Sequence, residues 1–428
     1  MRRIAVLSLH TSPLAQPGTG DGGGMNVYVK ELSSALGRAG VFCDVFTRRD
    51  APDLPRTVFV EPGVAVHHVP AGPAAPVRKE QLVEHVEEFT EGVIAHLTGA
   101  IPRRAFPAAS HFGDPDEPTG AVHANYWLSG IAGHEIKHRL DLPLVSTFHT
   151  LDRVKAEASP EEAADVATGR RARTEAAIIG CSDALLASCS VELDQLVELY
   201  GANPGRIEIV PPGVDHAFFS PGDQACARRA LGLDGTGPLL LYVGRIQPLK
   251  GADVAVRALA ELHRHGRADA RLAVVGGPSG PQGASEVAAL HALVDGLGLA
   301  ERVRFLPPQP HELLSTFYRA ADCCIVPSRS ESFGLVALEA AACGIPVVAA
   351  AVGGLTTLVV DGETGFLVEP GDAAAAAERV AEIVADDGLR ARLGRAGAEM
   401  AAGYTWATAA ATLSRLYSDL RCRDLVEC

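Results

Sequence analysis

The residues best equipped for chemistry fall in strand-end loops. Arg245 and Lys250 bracket Ile246-Gln247-Pro248-Leu249, directly after the apolar run Leu239 to Val243. A guanidinium fork and an ammonium point charge at the carboxyl end of a strand suit a diphosphate, which needs two positive partners. Such a cation pair is often surface charge alone, but a second loop shares the pattern. Glu331 and Glu339 flank Ser332-Phe333-Gly334-Leu335-Val336-Ala337-Leu338, after the apolar run Cys323 to Val326. Two glutamates on one helix ordinarily mark a solvated face. Here Phe333, Leu335, Val336 and Leu338 surround them, a composition that suits a buried loop closing on a ligand. Helical periodicity from Gly334 puts Glu331 in the strand-to-helix loop and Glu339 about two turns into the helix. The N–H groups that open this helix favour an anion.

A glycine-rich loop, His10 to Asn26, follows the first apolar run, Arg3 to Leu9. It contains Gly18-Thr19-Gly20-Asp21-Gly22-Gly23, formally G-x-G-x-x-G, with Asp44 further on. The dinucleotide reading fails, because eight residues separate Leu9 from the glycine that should close the turn after the strand. A flexible loop whose N–H groups approach a phosphate or hydroxyl fits better. His149 follows the apolar strand Pro143 to Phe148, a position that favours ligand contact over a core role.

His134-Glu135-Ile136-Lys137-His138 is an H-E-x-x-H. It carries the alternative of another class: a zinc hydrolase with two histidine ligands and Glu135 as base. No third ligand follows at a convincing spacing, although Glu157 exists, so a solvated helix end is the expectation and no metal is assigned.

Parallel strands alternating with helices must position these loops. The apolar runs Arg3 to Leu9, Val41 to Thr47, Val64 to Val69, Gly120 to Ala124, Leu142 to Phe148, Ala184 to Ser188 and Ile207 to Val210 read as strands of one block. Lys79 to Leu97 reads as one amphipathic helix, and residues from about 99 to 119 as a loop or insertion. Pro211-Pro212-Gly213 opens a linker extending to about Pro238. A second block runs Leu239 to Val243, Leu272 to Val275, Val303 to Leu306, Cys323 to Val326, Pro346 to Ala349 and Phe366 to Val368. The expectation is an α/β protein with two facing doubly wound Rossmann-like domains, 1–212 and 213–404, and a cleft between them. Residues 405–428 read as a last helix, expected to be able to return to the first domain.

The totals narrow the class. The chain has 428 residues, 47% hydrophobic and 21% charged, as expected of a globular protein with ample core. A net charge of −14 argues against nucleic-acid binding. Ile4 to Leu9 is too short for a signal core or a membrane span, and no other stretch reaches membrane length without charge or proline. The nine cysteines include no C-x-x-C and read as reduced, buried thiols of a cytoplasmic protein.

The Glu331 to Ala340 stretch resembles the E-x7-E motif of retaining nucleotide-sugar glycosyltransferases with the GT-B fold, family four. Val243-Gly244-Arg245-Ile246-Gln247-Pro248-Leu249-Lys250, His10-Thr11-Ser12-Pro13, Gln16-Pro17-Gly18, Gly24-Met25-Asn26 and Tyr126-Trp127-Leu128-Ser129-Gly130 extend the resemblance over nearly the whole chain. They are most similar to members that move N-acetylglucosamine from UDP to an inositol phosphate, with retention, in mycothiol biosynthesis. The resemblance implies that Gln16, Pro17, Gly24, Arg245, Lys250, Gln309, Glu331 and Glu339 meet the nucleotide sugar. It implies that His10, Asp21, Gly22, Gly23, Gly24, Met25, Asn26, Lys79, Tyr126, Thr150 and Arg171 meet a small phosphorylated acceptor. His149, Glu331, Arg245 and Lys250 are then the catalytic group, with no obligatory cofactor and Mg2+ optional. A homodimer is compatible with it. Sucrose-phosphate-synthase-like and natural-product transferases share the motifs and differ in acceptor. The chain departs from the pattern at Leu151 to Glu157, at residues 99–119, and at Ile345, where the loss of a threonine removes a metal contact.

Overall fold

The computed structural model describes residues 3–18, 20–100, 117–158, 169–233, 235, 237–280 and 282–428. They form two compact units. The first comprises residues 1–15, 25–211 and 406–428; the second comprises 16–24 and 212–405. The insertion expected at about 99–119 falls largely outside the described residues.

The first unit is built on an eight-stranded sheet. Its strands are β1 (Arg3–Leu7), β2 (Phe42–Arg48), β3 (Thr57–Glu61), β4 (Val64–Val69), β5 (Val122–Asn125), β6 (Leu144–Thr147), β7 (Ala184–Ala187) and β8 (Ile207–Ile209). Their order is β3-β4-β2-β1-β5-β6-β7-β8, parallel except for the β3–β4 pair. β1, β2, β4, β5, β6 and β7 are buried at every residue, as parallel strands covered on both faces must be. Leu7, Ala124, Leu128, Leu144, Ile178 and Leu185 meet in one core. Each such large side chain contributes about 1.5–3 kcal/mol by leaving water.

The second unit has six parallel strands: β9 (Leu239–Val243), β10 (Arg271–Val275), β11 (Val303–Leu306), β12 (Cys323–Val326), β13 (Val347–Ala350) and β14 (Gly365–Val368). Their order is β11-β10-β9-β12-β13-β14. Each sheet therefore reverses its winding once, between β1 and β5 in the first and between β9 and β12 in the second. Ligands of doubly wound sheets bind outside the strand ends at such switch points.

Several sequence expectations change. Lys79 to Leu97 is not one helix: a 3-10 segment, Lys79–His85, precedes the α-helix Val86–Leu97. Only Leu82 is buried in the former, whereas Val86, Phe89, Val93 and Ile94 make the α-helix's inner face. β1 stops at Leu7 because the Leu9 N–H turns to Ser129 Oγ at 3.0 Å. β3 was not foreseen; all its residues are half-buried, so it carries no continuous apolar run. The linker after Pro211 holds a helix, Gln224–Leu231, capped by Asp223, whose side chain accepts from Cys226 N–H at 2.6 Å. Nor are all cysteines buried, reduced thiols: Cys226, Cys422 and Cys428 are exposed, and Cys428 is paired with Cys181 as a disulfide.

The last helix, Trp406–Leu420, packs on the first unit. Trp406 lies 5.9 Å from the Tyr28 ring, and Tyr417 Oη is 2.8 Å from His123 Nδ1. Among the described residues no helix is long and apolar enough to cross a membrane.

Candidate functional site

In the first unit, residues from four separate segments converge on Tyr126. This residue follows β5 and caps the helix Trp127–Leu140, at φ 75°. A non-glycine residue held there costs about 1–3 kcal/mol, a strain that clusters at ligand sites. The Lys79 ammonium lies 5.6 Å from the Tyr126 ring centroid, and the Arg171 guanidinium 4.9 Å from it. The His10 ring is 4.5 Å away, following β1 across the switch point. Arg171 donates to the Thr150 carbonyl at 2.8 Å and to its Oγ1 at 3.3 Å. The Tyr126 hydroxyl is buried without a hydrogen-bond partner among the described residues.

The two cations differ. Arg171 is ion-paired with Glu175, a fully buried carboxylate, at 2.7 Å. Its charge is thus partly spent within the fold. Lys79 has no ion-pair partner among the described residues.

His149 sits after β6, also in a left-handed conformation, at φ 60°. Its Nε2 is 2.9 Å from Asn125 Oδ1, and its ring packs edge-on against Tyr28, 4.9 Å away. Burial, reinforced by the neighbouring His123, lowers its pKa to about 3. The imidazole is therefore neutral near pH 7, and Nε2–H donates to Asn125. This removes any role for His149 as a resident cation and leaves it as a hydrogen-bonding group.

The second unit gathers the other set at its own switch point. Lys250 Nζ lies 2.5 Å from Glu331 Oε2, so the loops after β9 and β12 are joined by an ion pair. Lys250 is thus engaged by Glu331 in this structure. Gly251 permits the approach: with φ 67°, any Cβ there would stand 2.2 Å from the Pro327 carbonyl oxygen. Gly353 fixes the other side, where a Cβ would lie 1.8 Å from the Glu331 carbonyl oxygen. Arg245 donates to Ser279 Oγ at 3.2 Å, and its backbone carbonyl accepts from Tyr242 Oη at 3.0 Å.

Glu339 is the fifth residue of the helix Leu335–Ala342, little more than one turn in, because Gly334 at φ 103° caps the helix instead of joining it. Its two oxygens accept from His311 Nε2 at 2.7 Å and Tyr318 Oη at 2.8 Å. Burial pushes the Tyr318 phenol well up, so it remains a donor. Gln309 Nε2 donates to the Pro307 carbonyl at 2.8 Å.

The glycine-rich loop divides between the units. Gln16, Pro17, Asp21, Gly22, Gly23 and Gly24 belong with the second, Met25 and Asn26 with the first. Gln16 Nε2 donates to the Pro308 carbonyl at 3.0 Å. At Gly23 an added Cβ would be 3.3 Å from Arg245 Nε, so the loop's backbone runs against the guanidinium. Asn26 spends its amide on Thr11 Oγ1 and the Ser12 carbonyl, holding the turn after His10.

Sequence reasoning did not find Ser279, His311, Tyr318, Glu175 or Asn125. Each acts through another side chain; strand order brings Ser279, His311, Tyr318 and Asn125 near theirs, while Glu175 stands four residues after Arg171 on one helix, the spacing that could have found it. His134 and His138 lie on the helix Trp127–Leu140; His134 is half-buried and His138 exposed, as a solvated helix end should be, and Cys181 and Cys428 stand beside them. Both cysteines are far off in sequence from the two histidines.

Two family models match the chain: "Glycosyl transferase 4-like domain" over residues 23–213 and "Glycosyl transferases group 1" over residues 223–400. The D-inositol 3-phosphate glycosyltransferase of Acidothermus cellulolyticus is 46% identical over 98% of this chain and 90% of its own. That of Nocardia farcinica is 47% identical over 97% of this chain and 89% of its own. The solved sucrose-phosphate synthase of Thermosynechococcus elongatus matches with a TM-score of 0.87 and 34% identity, over 99% of this chain and 100% of that one. The chain therefore belongs to the group 1 glycosyltransferases of GT-B fold and is a glycosyltransferase.

Proposed function

We propose that the protein moves N-acetylglucosamine from UDP to 1D-myo-inositol 3-phosphate, with retention at the anomeric carbon. The observation that carries the acceptor is the convergence on Tyr126. Lys79, a buried phenol without a partner, Thr150 and Arg171 offer several donors around one point, and a phosphate needs several donors at once. A neutral polyol would leave Lys79 without a counter-charge. The names of the relatives at 46–47% identity support the same acceptor.

The donor reading rests on the second unit. Arg245, Lys250 and the N–H groups opening the helix Leu335–Ala342 stabilise the leaving diphosphate. Lys250 then exchanges Glu331 for the diphosphate, which frees Glu331 for the sugar. Glu339, held by His311 and Tyr318, retains lone pairs for the ribose hydroxyls. The acceptor hydroxyl attacks the anomeric carbon from the face the diphosphate leaves. A phosphate oxygen of the leaving group takes its proton, and neutral His149 hydrogen-bonds the sugar.

The test is a panel of UDP- and ADP-sugars with inositol phosphate, free inositol and a hexose phosphate. Product from UDP-N-acetylglucosamine and inositol phosphate alone supports the proposal. Likeness to sucrose-phosphate synthase favours a second reading, a hexose phosphate acceptor, which the same panel separates.

A further inference from the structure

Sugar transfer makes no use of the H-E-x-x-H segment. His134 and His138 lie one turn apart on one face of the helix Trp127–Leu140. Two cysteines of the same unit close on them: Cys181, which ends the helix Arg170–Cys181, and Cys428. His138 Nε2 is 3.5 Å from Cys181 Sγ and 3.3 Å from Cys428 Sγ. His134 Nε2 is 3.9 Å from Cys428 Sγ. One ligand atom from each of the four residues lies within 4.8 Å of all the others.

We propose that His134, His138, Cys181 and Cys428 bind one zinc ion, as a structural site separate from the sugar chemistry. Tetrahedral zinc, with Zn–S about 2.3 Å and Zn–N about 2.0 Å, spreads its ligand atoms roughly 3.3–3.8 Å apart. The nitrogen–sulfur separations, 3.3, 3.5 and 3.9 Å, lie close to that spread, whereas the two sulfurs are bonded to each other and must part to take the ion. Two thiolates and two neutral imidazoles compensate the charge of the ion, and His2Cys2 is an ordinary ligand set for structural zinc.

The surroundings hold the ligands in place. Lys137, between the two histidines in sequence, donates to the Cys181 carbonyl at 2.8 Å and to both oxygens of Asp183 at 2.9 Å. Asp183 also accepts from the Leu144 N–H at 2.7 Å and from the Val426 N–H at 2.7 Å. One buried carboxylate thus anchors β6, the ligand helix and the segment that delivers Cys428. Outer contacts of this kind orient ligands and tune affinity.

In the structure Cys181 and Cys428 are paired as a disulfide, with Cα atoms 5.5 Å apart. A disulfide and a metal are exclusive uses of the two sulfurs. The disulfide gives no part to the two imidazoles aimed at the same sulfurs; the metal uses all four groups. The contrasting cluster in this unit, Asp44, His67 and His96, makes no such case. There the Arg3 guanidinium already sits 2.6 Å from Asp44 and supplies the positive charge.

Four protein ligands leave no position for a water, so the site is closed and the hydrolase chemistry of H-E-x-x-H does not follow. What zinc does here is mechanical. It fastens the segment ending in Cys428 to the helix that Tyr126 caps.

The experiment is metal analysis of full-length protein purified without a histidine tag or chelator, then reduced and given zinc. About one zinc per chain is expected, as for a single closed site. Cys428→Ser and His138→Ala should each lose it, while Cys422→Ser, which changes an exposed thiol outside the cluster, should keep it. Chelated wild-type protein refilled with cobalt should show thiolate charge-transfer and tetrahedral d–d absorption. This readout stands on the wild type even if a variant fails to fold. Reduced protein that takes up no zinc, or zinc retained in both ligand variants, overturns the proposal. So does a Cys181–Cys428 disulfide that persists in place of zinc uptake.

Discussion

Arg171 is shared between a ring and a carboxylate: its guanidinium lies 4.9 Å from the Tyr126 ring centroid while Nε holds Glu175 at 2.7 Å. Glu175 is fully buried and also accepts from Tyr200 Oη and the Asp152 N–H. Arg171 therefore has a duty in the fold as well as the proposed one toward a phosphate. Lys79, on the same ring, has only the latter.

Substitution should separate the two roles. Lys79→Ala should lower kcat/KM for inositol phosphate by a charged hydrogen bond, roughly 1.5–3 kcal/mol, with little change in Tm. Free inositol, if turned over, should not respond. Arg171→Ala should lower Tm as well, because stripping a buried carboxylate of its cation costs roughly 3–5 kcal/mol. Steady-state kinetics with both acceptors and a thermal melt of each variant decide it. An equal loss on both acceptors for Lys79→Ala counts against the phosphate reading.

Arg245→Ala should weaken UDP binding by roughly 1.5–3 kcal/mol, read by calorimetry. Lys250→Ala should also weaken it, and should release Glu331 from the pair that joins the loops after β9 and β12. Unchanged UDP affinity in both variants would remove the diphosphate assignment.

Burial lowers the pKa of His123 to about 3, between Tyr417 Oη and Thr147 Oγ1. The folded state thus refuses a proton that the unfolded chain accepts below about pH 6.5. Stability is complete above that pH and is lost as pH falls toward 3, by up to about 1.4 kcal/mol per pH unit for each such proton. His149, shifted the same way, adds to the slope. Urea midpoints between pH 7 and 5 should fall with acid in wild type and fall less in His123→Phe. Parallel profiles would contradict the assignment.

Leu413 is fully buried on the inner face of the helix Trp406–Leu420. Leu413→Ala should destabilise the first unit by about 2–5 kcal/mol, the cost of transfer plus cavity. Calorimetric melting that leaves the second unit's transition in place would locate the loss.

The sheets were legible because fully buried parallel strands are written as short apolar runs. β9, β11 and β12 coincide with theirs residue for residue. The half-buried edge strand β3 leaves no such trace. Of the site, the strand-end positions of Arg245, Lys250, Glu331, Tyr126 and His149 could be read, since ligand loops follow strands. Their partners could not. Asn125 reaches His149 only through the sheet order, and Cys428 meets Cys181 across a sequence separation of 247; Glu175 lies four residues after Arg171 on one helix, a spacing that sequence does show. A local pattern such as H-E-x-x-H shows two ligands on one helix and is blind to those that tertiary structure adds.

The helix Trp406–Leu420 completes the first unit although the second unit's chain, Pro212 to Thr405, is synthesised before it. On the ribosome the first unit must therefore wait. Until the second has been made, the surface that will receive Trp406, Leu413 and Tyr417 stays bare, and His123 lacks the phenol that later meets it. The usual order, N-terminal domain first as it emerges, is unavailable to this chain. The second unit has both its parts, residues 16–24 and 212–405, before the first has its last, so a pause or break in translation before codon 406 would release an unfinished, apolar-faced intermediate.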